Sequence, residues 1–366
     1  MRKPKSKRLV FLQNCISPHQ MPYIEALSVR SDVEHVWVIA PRVTYSDRAA
    51  MGWPKTWTSS SDKMTICISP SDEQVKTIFS KEGCICLFSG ISAFPEVHHW
   101  FLMSVPYRVK RGIITEAPYT FDKPLWMHKL RFMLKDWRFV KYFDYVFAIG
   151  EECEAYYRLW SKQWKVVPFM YCTSPHSSLP APTSSHPNSL SICFVGSLDR
   201  RKNVGCLLRA AEILKTRSVR LHVDIVGDGP LREALVSQAS SICSEMVEIR
   251  FLGALPMQET QNIIASNDVL VLPSLHDGWG AVINEAMALG TVPVCSSKCG
   301  AKTIIKKSGF GGIFEVGQPD GLAEILQKLS DDIEHVRRER QSRIDWARDN
   351  ISPDAVAALM NREVSD

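Results

Sequence analysis

The sequence predicts an α/β protein made of two doubly wound domains, each a parallel sheet with helices on both faces. Short apolar, β-branched runs alternate with helical stretches along most of the 366 residues, and this alternation is typical of parallel sheets. Residues 172–189 are dense in Pro, Ser and Thr and predict an interdomain linker. A chain of this length also fits two domains better than one.

The first domain is predicted over residues 1–171. In such domains ligands bind beyond the carboxyl ends of the strands, and two predicted loops meet that condition. His19 lies in the loop after the first strand, and Glu116 directly follows the predicted strand Gly112–Thr115. We take both as candidate binding residues. A surface or capping role for His19 is an equally open alternative.

The second domain is predicted over residues 190–349. Residues 350–366 should form a last helix, with Ser352 as its N-cap and Pro353 at its first position. No internal sequence repeat is visible beyond the two halves.

The stretch Val269–Gly290 carries the strongest functional pattern. A buried strand, Val269–Leu272, is followed by the turn Asp277-Gly278-Trp279-Gly280 and then by a helix. The helix N-terminus favours an anion at the mouth of the turn. Asp277 and Glu285 would repel a phosphate unless they accept hydrogen bonds from hydroxyl groups. The pattern therefore indicates a ligand with both phosphate and polyol, such as a nucleotide sugar. The alternative is an ordinary turn with a solvated Asp.

This segment resembles the signature of the retaining glycosyltransferases of family 4, Pro-Ser-x-x-Glu-Gly-x-Gly followed by Glu-Ala-Met-Ala-x-Gly. The chain keeps the spacing and the second carboxylate, and it has Asp277 where the family has Glu. The resemblance implies the GT-B fold, two facing Rossmann-like domains with a terminal helix that crosses back to the first. It also implies that Asp277 contacts the donor sugar and Glu285 the ribose, with the backbone of Gly278, Trp279 and Gly280 near the diphosphate.

A second loop follows the predicted strand Ile192–Val195 and is rich in basic residues. The family pattern there is Gly-Arg-Leu, three residues and Lys; this chain has Gly196, Ser197 in place of Arg, and Lys202. The resemblance implies that Lys202 stabilises the departing diphosphate, and Arg201 is our candidate for the missing guanidinium. Turns at Gly227 and Leu255 are implied to hold the base. A solvated basic turn is the alternative interpretation.

On the acceptor side the resemblance implies binding by the first domain. Many relatives carry a His near the position of Glu116, so Glu116 departs from the family pattern. Two roles stay open for it: orienting an acceptor hydroxyl or acting as a weak base. His19 is the other acceptor candidate.

Residues 121–143 combine apolar residues at helical spacing with interleaved Lys and Arg. Such a stripe commonly packs on its own sheet, and this is our expectation. Contact with an anionic membrane surface is the alternative.

Composition limits the remaining possibilities. The net charge of +5 fits an acidic ligand or an anionic membrane and does not by itself indicate nucleic acid. Eleven cysteines are scattered in apolar runs and predict reduced core residues, and Cys295 and Cys299 lack the partners of a zinc site. No membrane span or signal peptide is recognisable, so we expect a cytoplasmic protein, with the inner face of the membrane as an additional location.

We therefore predict a metal-independent retaining hexosyltransferase without cofactors. Its donor would be a UDP- or GDP-sugar, and its acceptor a saccharide, lipid-linked in surface polysaccharide or lipopolysaccharide synthesis. Two alternatives stay open: a sugar-nucleotide epimerase, and a catalytically silent sugar-nucleotide-binding protein.

Overall fold

The computed structural model describes residues 6–46, 53–59, 61–90, 93–117, 124–160, 164–173 and 189–364. The chain divides into two compact units. The first comprises Met1–Cys172 and Pro353–Asp366, and the second comprises Thr173–Ser352. Most of the predicted linker, residues 174–188, lies outside the described residues.

The first unit contains a seven-stranded sheet in which all neighbouring strands are parallel. The strand order is β3-β2-β1-β4-β5-β6-β7. The central strands are completely buried at residues such as Val10, Leu12 and Phe88, as expected for a sheet covered on both faces. The strands are β1 Lys7–Leu12, β2 Val33–Ala40, β3 Met64–Ile68, β4 Cys84–Ser89, β5 Lys110–Glu116, β6 Tyr145–Ile149 and β7 Lys165–Phe169.

Helices connect these strands. The helix that follows β3 begins with a capping box, in which the Ser71 hydroxyl accepts from the Gln74 N–H and the Gln74 side chain accepts from the Ser71 N–H. The helices are α1 Met21–Ser28, α2 Asp72–Phe79, α3 Pro95–Ser104, α4 Leu125–Arg131, a π-helical turn Phe132–Asp136, α5 Trp137–Val140 and α6 Glu151–Arg158.

The second unit contains a six-stranded parallel sheet with the order β10-β9-β8-β11-β12-β13. Counted from its own first strand, this is the 3-2-1-4-5-6 order of a dinucleotide-binding fold. Successive strands are added on one side of β8 up to β10 and on its other side from β11 onward, and ligands of such sheets bind beyond the carboxyl ends of the pair β8 and β11. The strands are β8 Leu190–Val195, β9 Leu221–Val226, β10 Val247–Gly253, β11 Val269–Leu272, β12 Val292–Ser296 and β13 Gly312–Phe314.

The helices of the second unit alternate with its strands, and three consecutive helices follow β13. They are α7 Val204–Thr216, α8 Arg232–Ile242, α9 Met257–Ser266, α10 Val282–Ala288, α11 Lys302–Ser308, α12 Pro319–Asp331, α13 Ile333–Arg338 and α14 Arg340–Ile351.

The last helix, α15 (Pro353–Glu363), belongs to the first unit, as the family resemblance implied. Lys7 Nζ donates to Asn361 Oδ1 over 2.7 Å and to Asp32 Oδ2 over 2.9 Å. Asn361 Nδ2 in turn donates to Asp32 over 2.8 Å. Val356 and Met360 are buried. Hydrogen bonds and apolar contacts together hold this helix against α1 and the start of β1.

The expectation that the apolar stripe of residues 121–143 packs on its own sheet is wrong for most of the stripe. Trp126, Met133, Leu134 and Trp137 are between 64% and 69% exposed. The inward-facing position of this segment is taken by Phe132, which is 5% exposed and stacks on Trp160 at 5.1 Å between ring centroids. Residues 121–123 lie outside the described residues.

All eleven cysteines are free, and nine of them are buried. Within the described ranges, no helix has the length and apolar content needed to cross a bilayer. The same part of the chain contains no cluster of three or more His, Cys, Asp or Glu side chains arranged to bind a metal ion.

Candidate active site

Two loops meet at the carboxyl ends of β8 and β11, which are neighbours in the second sheet. The N–H of Leu275, in the loop after β11, donates to the carbonyl of Arg201, in the loop after β8, over 2.7 Å. Asn203 Nδ2 donates to the carbonyl of Pro273 over 3.3 Å. Asn203 adopts a left-handed conformation with φ 52°, which asparagine tolerates better than most residues. These bonds hold the two loops together at the point where the fold places ligands.

Lys202 and Asp277 are paired at this junction. Lys202 Nζ lies 2.6 Å from Asp277 Oδ2, and both side chains are 13% exposed. Arg201 Nη1 approaches the same oxygen at 3.5 Å from a side chain that is 47% exposed. With Asp199 and Arg200 of the same loop included, three cations and two carboxylates leave a net positive charge of one. The junction therefore favours an anionic ligand.

Asp199 shapes the basic loop. Its Oδ1 accepts from the backbone N–H of Lys202 over 2.9 Å, and its Oδ2 accepts from the Ser197 hydroxyl over 2.7 Å. Burial acts to raise the pKa of Asp199, but the bonds from Ser197 and Lys202 and the nearby cations lower it overall. The Ser197 hydroxyl, which stands where the family carries Arg, is thus engaged within the loop.

The turn after β9 packs against the basic loop without side chains between them. The N–H of Gly196 donates to the carbonyl of Val226 over 3.0 Å, and the N–H of Leu198 donates to the carbonyl of Asp228 over 2.9 Å. A Cβ atom on Gly227 would lie 1.8 Å from the Gly196 oxygen. Only glycine allows this approach, and it brings the ends of β8 and β9 together.

The turn after β11 is braced from behind by the segment that follows β12. Gly300 N–H donates to the Asp277 carbonyl over 3.0 Å, and Ala301 N–H donates to the Trp279 carbonyl over 2.7 Å. A Cβ on Gly300 would come within 2.1 Å of the Gly278 oxygen. Our sequence reasoning missed this contact between the two turns. Gly300, a glycine in the turn after β12, was the feature of the sequence that could have indicated it.

Trp279 differs from the other turn residues, because its side chain is 2% exposed and its Nε1 donates to Asn284 Oδ1 over 2.7 Å. Its indole supports the turn from inside, so only its backbone is available to a ligand. Gly278 and Gly280 have backbone N–H groups that donate to no acceptor among the described residues. Gly280 has φ 92°, which an L-residue rarely adopts.

Glu285 lies in the first turn of α10, behind this loop. Its carboxyl makes no hydrogen bond within the described part of the chain. Burial raises the pKa of this carboxyl from 4.5 to about 7. A ligand hydroxyl that donates to this carboxyl would favour its ionised form and so lower its pKa again.

Leu255 follows β10, next to the turns after β8 and β9. Its carbonyl accepts from the Thr260 hydroxyl over 3.3 Å. The N–H of Gly227 donates to the carbonyl of Gly253 over 2.7 Å, which ties the end of β10 to the same cluster.

The candidates in the first unit lie at the carboxyl edge of its sheet. Glu116 is the last residue of β5, and its Oε1 accepts from the Tyr171 hydroxyl over 3.3 Å. The ring of His19, in the loop after β1, meets Trp53 edge-on at 5.7 Å between centroids. Sequence reasoning overlooked Tyr171 and Trp53, since neither stands in a recognisable motif.

Two doubly wound units with these sheet orders have the architecture of the GT-B fold. A structure of Anabaena Alr3699/HepE in complex with UDP has the same fold, with a TM-score of 0.70 over 98% of this chain and 99% of that one, at 13% identity. Residues 179–345 match the family model described as glycosyl transferases group 1. This match covers somewhat less than half of the 366 residues.

Curated relatives match less than half of this chain. A D-inositol 3-phosphate glycosyltransferase of Corynebacterium urealyticum is 31% identical over 153 residues, which are 40% of this chain and 36% of that protein. An O-antigen chain mannosyltransferase B of Escherichia coli is 28% identical over 141 residues, 38% of this chain and 36% of that protein. The chain thus spans little more than a third of the length of these relatives.

Proposed function

We propose that this protein is a retaining glycosyltransferase that moves a hexose from a UDP- or GDP-sugar to a saccharide acceptor. The observation that carries the proposal is the meeting of Lys202, Arg201 and Asp277 at the carboxyl ends of β8 and β11. Cleavage of the bond between sugar and diphosphate leaves negative charge on the diphosphate. A cation at about 4 Å from such a charge is worth roughly 4 kcal/mol at a surface-like effective dielectric, enough to lower the barrier substantially.

The other residues of the junction receive roles that fit their chemistry. The Asp277 carboxylate accepts from donor-sugar hydroxyls. The Glu285 carboxyl, which has no hydrogen-bond partner among the described residues, accepts from the ribose hydroxyls. The N–H groups of Gly278 and Gly280 bind phosphate oxygens. Gly196, Ser197, Gly227 and Leu255 border the nucleotide through their backbones. Lys202 and Arg201 supply the positive charge, so the proposed reaction requires no metal.

The acceptor is proposed to bind the first unit at Glu116 and His19. The Tyr171 hydroxyl bonded to Glu116 holds that carboxylate in place, and Glu116 then orients an acceptor hydroxyl or takes its proton. We propose a lipid-linked acceptor in surface polysaccharide or lipopolysaccharide synthesis, because one relative is named an O-antigen chain mannosyltransferase. A cytoplasmic enzyme would meet such an acceptor at the inner face of the membrane, through residues 121–143.

The first experiment is a thermal-shift screen with UDP-, GDP- and ADP-sugars in the absence of added metal. Donor at a hundred times its dissociation constant should stabilise the protein by about 2.7 kcal/mol. A shift with one nucleotide class selects the donor for acceptor assays, and the anomeric configuration of the product then tests retention. If no nucleotide sugar shifts the transition, the donor site is assigned wrongly and the proposal fails.

A catalytically silent nucleotide-sugar-binding protein is the second candidate. It is favoured by the substitution of Asp277 for the family's Glu and by the engagement of that Asp with Lys202. Donor binding without turnover, against a broad acceptor panel, would select this candidate.

A further inference from the structure

The segment Trp126–Trp137 presents an apolar face to solvent. The described residues contain eleven exposed large apolar side chains, and six of them lie in this one segment. They are Trp126, Met127, Leu130, Met133, Leu134 and Trp137, with exposures between 38% and 69%. Scattered exposed apolar residues are normal on a soluble protein, but a contiguous set marks an interaction surface. We call this set the apolar face.

The opposite side of the segment is anchored to the first unit. Phe132 stacks on Trp160 at 5.1 Å, and His128, which is 5% exposed, meets Tyr156 edge-on at 5.8 Å between ring centroids. Phe139 meets Phe101 edge-on at 5.5 Å. These contacts fix which side of the segment points inward. The apolar face is therefore held outward by packing.

Positive charge surrounds the apolar face. Residues 125–142 contain five Lys or Arg and one Asp. Lys129, Arg138 and Lys141 are exposed, and the last two lie over the rings of Phe139 and Tyr142. A symmetric contact between two copies of this face would bring like charges together. An anionic bilayer surface matches both the charge and the apolar side chains.

We propose that the apolar face inserts into the interfacial region of an anionic membrane, with Lys129, Arg138 and Lys141 at the headgroup phosphates. Two exposed tryptophans at the ends of the face suit that region, because their rings are apolar and their N–H groups are polar. The inference rests on the proposed function only for its purpose, which is to bring the first unit to a lipid-linked acceptor. Membrane binding itself requires neither donor nor turnover.

The test is co-sedimentation of the full chain with phosphatidylcholine vesicles, with and without phosphatidylglycerol. Binding should require phosphatidylglycerol and should weaken as salt rises, because salt screens the lysine and arginine charges. Replacing Met133→Ser and Leu134→Ser together should reduce binding about tenfold or more. Lys129→Gln and Arg138→Gln should each reduce it about fivefold.

Val29→Ser is the matched control, since Val29 is 69% exposed, as is Met133, and lies at the end of α1 in the same unit. Near-ultraviolet circular dichroism should be unchanged in every variant used. Equal binding by the Met133/Leu134 variant and the Val29 variant would overturn the proposal. A wild-type dimer that the same variant converts to monomer, without vesicle binding, would assign the face to a second copy instead.

Membrane binding and transferase activity can be tested separately. The Met133/Leu134 variant should keep full activity on a water-soluble acceptor and lose vesicle binding. A wild-type protein that binds anionic vesicles but has no transferase activity would contradict the proposed function and leave the membrane contact standing.

Discussion

Lys202 Nζ and Asp277 Oδ2, 2.6 Å apart, join the loop after β8 to the loop after β11. Both side chains are largely shielded from water, so the pair is stronger than one on an open surface. In the proposed function, an incoming diphosphate would have to share Lys202 with Asp277 or displace it. The pair would then link donor binding to the position of the carboxylate that we assign to the sugar.

Lys202→Ala should lower turnover on the order of a hundredfold or more, because the leaving diphosphate would lose a cation that the proposed function assigns to it. Steady-state kinetics with the selected donor measure this. Arg200→Ala is the control, since Arg200 is exposed in the same loop and should leave turnover nearly unchanged. Wild-type turnover in folded Lys202→Ala would remove Lys202 from the mechanism.

Asp277→Asn should separate binding from turnover. It frees Lys202 for the diphosphate, so the affinity for the free nucleoside diphosphate should rise roughly fivefold, the worth of about 1 kcal/mol for a partly shielded pair. Turnover should fall, because the hydroxyl groups of the donor sugar lose an ionised carboxylate that accepts their hydrogen bonds. Isothermal titration and kinetics measure the two quantities. Weaker nucleotide binding by the variant would contradict competition between Asp277 and phosphate.

Nucleotide affinity should depend on Glu285 near neutral pH. Burial raises the pKa of its carboxyl to about 7, and ribose hydroxyls donate to the ionised form. Affinity should therefore rise as pH increases through about 7, with proton release on binding at lower pH. Glu285→Gln should lose this component and keep the dependence that comes from the nucleotide's own phosphate. Identical pH profiles for the two proteins would exclude Glu285 from the ribose.

The same pKa has an opposite effect on the free protein. A carboxyl whose folded-state pKa exceeds its unfolded value stabilises the fold at low pH, and that contribution is lost as pH rises through the folded value. The Glu285 contribution should thus be complete below pH 4.5 and disappear by about pH 7. Unfolding of Glu285→Gln over this range should be less pH-dependent than that of the wild type.

Gly227→Ala should damage the donor site. The new methyl would lie 1.8 Å from the Gly196 oxygen, so the turns after β8 and β9 must separate. Nucleotide-induced thermal stabilisation should disappear. Gly253→Ala provides the control, because it has φ +71° but no atom within 4 Å of the added carbon. It should cost only about 1 to 2 kcal/mol of backbone strain and retain binding.

Asp224 should be a major stabilising residue of the second unit. Burial acts to raise the pKa of its carboxyl, but hydrogen bonds with His222 and Arg250 bring it well below its ordinary value. Its contribution is therefore present above about pH 4 and is lost in more acidic solution. Asp224→Ala should cost on the order of 3 kcal/mol in urea unfolding at neutral pH. Glu248→Ala, which removes a mostly exposed partner of His222, should cost less than about 1 kcal/mol.

The sequence predicted the central strands because each is a continuous apolar run. It did not predict β7 and β13. Strand β7 contains Pro168, which lacks an N–H, and β13 is only three residues long and begins with Gly312. Both lie at the edge of their sheets, where proline and short strands are tolerated. Their local sequences therefore carry no clear strand pattern.

The candidate residues of the loops after β8 and β11 were chosen from motif spacing, which does not show their partners. Spacing gives no information on the bond between Lys202 and Asp277, which are 75 positions apart. The inward indole of Trp279 was equally invisible, since it depends on Asn284 and the surrounding core. Periodicity in residues 121–143 revealed an apolar side but not whether protein covers it.

The helix Pro353–Glu363 completes a unit whose other residues all precede Thr173. During synthesis the ribosome must therefore finish the whole second unit before Asn361 can reach Lys7 and Asp32. Until then, the flank of α1, which is the surface that the last helix covers, stays exposed in the first unit. The second unit can fold from a continuous stretch of chain. Nascent protein that stalls short of the last helix would expose that flank to chaperones and proteases.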